Sequence, residues 1–160
     1  MMFDHFWRAV AIGIGATALM DLWAIFLNTV FAQPRPNWGL VGRWVWHLRD
    51  GKVFHDDIGE AAPYAHESAL GWAFHYFVGI ASGIVLAVLA GAAWLAAPTF
   101  LPAFILGIVT VGAGWFLLAP GMGAGWAASK RPNPMQIRAL NLVSHTVFAL
   151  GLFGTALLIR

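Results

Sequence analysis

An all-α fold is predicted, an integral membrane four-helix bundle with a short interfacial amphipathic helix in its first loop. Two observations carry the prediction. Only 10% of the 160 residues are charged against 60% hydrophobic, and mean hydropathy is +0.73, whereas a soluble domain carries about 25% charged residues. Four apolar runs, at about residues 6–31, 69–95, 99–119 and 139–159, each reach the roughly 20 residues that a helix needs to cross a hydrocarbon core. Residues 1–160 therefore read as a single four-span domain with polar loops at 32–68 and 120–138.

In the first span, Gly13, Thr17 and Asp21 recur every four residues and Asn28 follows, so small and polar groups share one stripe. Its length, and the lack of a plain basic start, predict a retained helix rather than a cleaved signal peptide. In the first loop, Val41, Trp44, Val45 and Leu48 fall at helical spacing, with Arg43, His47 and Asp50 on another face. That pattern, from Asn37 to Gly51, predicts the interfacial helix. The following residues, His55, Asp56, Asp57, Glu60, His66 and Glu67, mix imidazole and carboxylate, but without a metal-binding motif they read as a solvated surface. Glu67 and Ser68 favour the start of the second span.

The second span carries Gly71, His75, Gly79 and Gly83 at four-residue intervals, a small-residue face for close helix packing. Only Leu95-Ala96-Ala97-Pro98 separates it from the third span, which predicts a tight antiparallel hairpin. The glycine-rich stretch Pro120–Gly125 lacks the strand and the GKS/T ending of a phosphate cradle. It reads as a flexible loop against the membrane. In the fourth span Arg138, Asn141, His145 and Ala149 line one side, with Ser144 beside them.

Seven of the nine Lys and Arg residues (Arg35, Arg43, Arg49, Lys52, Lys130, Arg131, Arg138) lie in or beside the two polar loops, and only Arg8 and Arg160 lie opposite. By the positive-inside rule the loops are cytoplasmic and both termini periplasmic. All seven acidic residues occur at or before Glu67, so the loops carry opposite charge bias, which favours loop-to-loop attraction or contact with anionic headgroups. With no cysteine, disulfides, thiolate ligands and cysteine nucleophiles are excluded. Nucleic acid is not an expected partner, because no basic cluster forms a soluble face. The lipid bilayer is, together with other membrane subunits or further copies of the chain.

Asp21, His75 and His145 each sit in an apolar run, at similar depth from the cytoplasmic side by helix rise. Ionisable groups at a helix centre in a bilayer cost at least ~2.5 kcal/mol unless paired or facing a cavity. Their placement predicts a buried His/Asp site near the cytoplasmic side, with Asn141 and Arg138 as further binding residues. The plain structural alternative is that they set helix register.

Gly15–Trp23, Val41–Trp44 with His47, Gly51–His55, Gly71-Trp72 with His75-Tyr76, Pro120–Gly125 and His145–Phe148 together resemble a family of small bacterial membrane proteins, domain of unknown function 2938. The resemblance spans nearly the whole chain. It implies a bacterial membrane location and a four-helix topology, and no activity.

Three functional classes follow. The first binds a transition metal, a haem or a small lipophilic ligand. His75 and His145 would ligate haem iron axially, with Arg138 or Arg43 on the propionates, or would join Asp21 in a two-histidine, one-carboxylate site. His47, His55 and Glu67 are secondary metal candidates. The second is a non-catalytic accessory or assembly subunit of a larger membrane complex. The third is an acid–base membrane enzyme acting on a lipophilic substrate.

Overall fold

The computed structural model describes residues 2–160, with side chains from Asp4 onward. Its helices are α1 (Met2–Phe31), α2 (Trp38–Leu48), α3 (Glu67–Ala96), α4 (Phe100–Ala113), α5 (Ala119–Gly121) and α6 (Pro134–Leu158). A π turn at Gly114–Leu118 joins α4 to α5, so Phe100–Gly121 runs as one span. With Asp4–Phe31, Glu67–Ala96 and Pro134–Leu158 it makes four helices long and apolar enough to cross a membrane. Of the four, α6 begins at Pro134, ahead of the apolar run at 139–159. Pro134 suits a first helical position, and the Asn133 carbonyl accepts from Ile137 N at 3.1 Å.

Chain packing separates two compact units, Met1–Arg35 with Tyr76–Val109 and Val143–Arg160, and Pro36–His75 with Thr110–Leu142. We call them the helical unit and the loop unit.

In the helical unit, Ile12, Ala16, Leu86, Trp94, Phe148 and Leu152 are buried together. The seam between α1 and α3 is made by glycine. A side chain at Gly13 would strike the Gly79 carbonyl, and one at Gly83 would strike the Ala9 carbonyl and Gly13. Lipid tails give helices no hydrophobic reason to associate, so close backbone approach and van der Waals contact must supply the attraction. The same logic brings Gly151 of α6 against Ala16. Buried hydroxyls bond within their own helices, Thr17 Oγ1 to the Gly13 carbonyl and Ser82 Oγ to the Val78 carbonyl, each at 2.8 Å. The expected tight turn after α3 is present. Trp94 Nε1 donates to the Thr99 carbonyl at 2.9 Å and Arg8 Nη2 to the Leu95 carbonyl at 2.5 Å.

In the loop unit, the Asn37 side chain caps α2 by accepting from Leu40 N. The amphipathic helix forms where its periodicity places it, but Val41 and Trp44 of its apolar face are buried by protein. Gly42 lies against the Glu67 carbonyl and Gly71 against that of Trp38, Trp44 packs edge-on to Phe74, and Trp44 Nε1 donates to the Val53 carbonyl at 2.8 Å.

The glycine-rich stretch, expected as a flexible loop, is held by hydrogen bonds. It docks on the first polar loop: His55 N donates to the Gly121 carbonyl and Ile58 N to that of Met122, at 3.1 and 3.3 Å. Gly123 has φ +87°, and a Cβ there would collide with the Asp56 carbonyl, so conformation and space both require glycine. Ala127 and Ala128 that follow are also left-handed, at φ +48° and +58°. Arg138 Nε donates to the Ala127 carbonyl at 2.9 Å, which helps to hold a conformation that alanine adopts only at a cost.

Candidate functional site

Two polar constellations emerge, one in each unit. In the helical unit Tyr76 Oη donates to Asp21 Oδ2 at 3.0 Å, joining α3 to α1. Two residues on, Trp23 Nε1 donates to Ser144 Oγ at 3.1 Å. The residue after Ser144 is His145, half-buried, with Nδ1 3.2 Å from the Gly107 carbonyl. A carbonyl only accepts, so Nδ1 carries the proton in that bond. The unit thus has a carboxylate oriented by a phenol, and an imidazole whose Nδ1 donates to a carbonyl, on helices linked through Trp23 and Ser144.

Tyr76 was not among the expected site residues. The available signal was a phenol in an apolar helix, whose hydroxyl needs a polar partner when buried.

The loop unit is organised by Arg43. Its Nε and Nη2 grip the two carboxylate oxygens of Glu67 at 2.7 and 3.0 Å, a bidentate pair of the strong kind. Nη1 reaches the carbonyls of Ile58, Gly59 and Ala61 at 3.3, 2.9 and 3.1 Å. One guanidinium therefore ties α2 to the start of α3 and to the irregular chain between them. The Glu67 hydrogen bond raises the Arg43 pKa above its ordinary value, against the opposing effect of desolvation. Arg43 is charged throughout the physiological range.

One turn along α2, His47 Nδ1 lies 3.0 Å from His55 Nε2. The other nitrogen of each ring faces a backbone carbonyl at 3.0 Å, His47 Nε2 that of Ala62 and His55 Nδ1 that of Gly121. His55 is buried at 8% exposure, so the loop expected to be a solvated surface contains a built polar core.

The remaining candidates have defined places. His75 stacks on Trp38, ring centroids 3.9 Å apart, and meets the edge of Trp72. Asn141, with its amide oriented to satisfy both neighbours, accepts from Trp115 Nε1 at 3.0 Å and donates to the Ile137 carbonyl at 3.2 Å. Trp115 belongs to the π turn, a distortion that often accompanies functional positions. Arg138 is engaged by the Ala127 carbonyl, Arg43 and Glu67 by each other. Arg43 and Glu67 thus belong to the clamp. Among the described residues no group of three or more His, Cys, Asp or Glu side chains is gathered as a metal ion would require. The expected two-histidine, one-carboxylate set thus has no cluster behind it.

No curated protein and no solved structure matches the chain. The family model described as protein of unknown function, DUF2938, matches residues 10–159, nearly the whole sequence and all four apolar helices. The chain belongs to that family.

Proposed function

We propose that the chain is a polytopic protein of a bacterial inner membrane, with cytoplasmic polar loops and periplasmic termini, that binds a small lipophilic ligand through polar groups of its spanning helices. Asp21 and His145 are the ionisable groups of that site, and Tyr76 orients the carboxylate. The observation that carries the reading is the 3.0 Å bond from Tyr76 Oη to Asp21 Oδ2 between two apolar helices. Ionisable residues inside a membrane are expensive and mark ligand or proton sites by default. The Trp23–Ser144 bond supports extending the site to His145.

The test is purification in mild detergent without a metal-affinity tag, then native mass spectrometry and elemental content per chain for wild type, Asp21→Asn, and the His75→Ala, His145→Ala double variant. A bound species present in wild type and lost in Asp21→Asn and in the double variant supports the reading. Bound metal lost only with the histidines moves the assignment to metal or haem. A protein bare in every form, with a constant protein partner, replaces it with the accessory-subunit role.

A further inference from the structure

The His47–His55 contact has a proton inventory that its surroundings determine. Each ring faces a backbone carbonyl with its outer nitrogen, His47 Nε2 toward Ala62 and His55 Nδ1 toward Gly121, both at 3.0 Å. Carbonyl oxygen cannot donate, so both outer nitrogens carry hydrogen. A neutral imidazole has only one N–H. With both rings neutral, the inner nitrogens, His47 Nδ1 and His55 Nε2, present two lone pairs to each other across 3.0 Å. Two bare lone pairs at that distance repel unless a cation binds both.

The arrangement is also the one that metal-binding histidines adopt, in which the non-ligating N–H donates to a carbonyl or carboxylate and so fixes the tautomer and ring orientation. Here both rings meet that condition, from two separate segments. His55 is held twice over, since its backbone N also donates to the Gly121 carbonyl, at 3.1 Å. We propose that His47 and His55 form a bidentate site for one divalent transition-metal ion, with water completing its coordination. Two ligands each about 2.1 Å from one ion and 3.0 Å apart subtend roughly 90°, the angle between neighbouring positions of a tetragonal Cu(II) or Ni(II) centre; a tetrahedral ion needs them several tenths of an ångström further apart. The site lies in the loop unit and does not depend on the ligand proposed for Asp21 and His145.

The experiment titrates the full-length, untagged, metal-stripped protein in detergent with Ni(II), following binding by calorimetry and the nickel shell by X-ray absorption. One ion per chain with two imidazoles in its shell is expected. His47→Gln and His55→Gln should each weaken binding at least ~10-fold, whereas His66→Gln, on an exposed residue of the same loop, should leave it unchanged. Equal binding by wild type and the double glutamine variant overturns the site, as does a shell with fewer than two imidazoles. So does a wild type that binds no nickel, and imidazole 15N spectra showing one proton shared between the rings would then identify the cation as only a proton. Should the glutamine variants fail to fold, the wild-type absorption spectrum decides alone.

Discussion

The two units satisfy the same demand, that no polar backbone group be left without a partner, by different means. In the helical unit the backbone satisfies itself within long helices, and polar side chains are sparse. Cohesion comes from glycine-mediated approach, Gly13 on Gly79 and Gly83 on Ala9. In the loop unit the chain between α2 and α3 is largely irregular, and its carbonyls are held by side chains. Arg43 binds three, Trp44 that of Val53, and His47 that of Ala62. The difference teaches where damage should be severe. Removing a polar group should cost the loop unit more, whereas added volume should damage both, since Gly42 and Gly71 of the loop unit are packed on backbone as closely as Gly13 and Gly83.

The largest effect is expected at the clamp. Arg43→Ala leaves the Glu67 carboxylate with only Tyr64 N and removes the guanidinium donor from the Gly59 and Ala61 carbonyls, and loss of one partner of a buried pair costs about 3–5 kcal/mol. Arg43 and Glu67 side chains are 12% and 23% exposed, so the lower end of that range applies. Denaturant titration in detergent should show it, and a loss under 1 kcal/mol would remove the clamp from its central place. Gly13→Leu comes next. It should cost about 1–3 kcal/mol by overpacking a closed seam, read by the same titration, and an unaffected midpoint would mean that the α1–α3 contact is loose.

Two tryptophan variants then sharpen the contrast, because each removes one indole N–H and keeps an aromatic ring. Trp44→Phe orphans the Val53 carbonyl and should cost about 1–3 kcal/mol. Faster hydrogen exchange in residues 52–58 should accompany it. Trp23→Phe frees only Ser144 Oγ, and should cost about 0.6 kcal/mol, the average for a hydrogen bond between membrane helices. If the two losses are equal, the distinction between the units in polar cohesion fails.

Much of this molecule was legible from local pattern. The four spans follow from apolar length, the Gly79 and Gly83 stripe from four-residue spacing, the start of α2 from Asn37, and that of α3 from Glu67. Asp21 shares its stripe with Gly13 and Thr17 and bonds a residue of α3. Its partner was not legible, since helix periodicity ranks faces and does not select one residue on the opposing helix. His75, the expected partner, and Tyr76, which bonds Asp21, are adjacent in sequence and about 100° apart around α3.

The sequence by itself determined the all-helical class and the number of helices long and apolar enough to cross a membrane, because these depend on composition and on apolar length at a fixed rise per residue. Only the tertiary structure decided what the polar loops are. Arg43 meets carbonyls 15 to 18 residues away and His55 meets one 66 residues away. No periodicity links such positions. They come together because irregular backbone, once shielded from water, must find donors wherever the fold brings them.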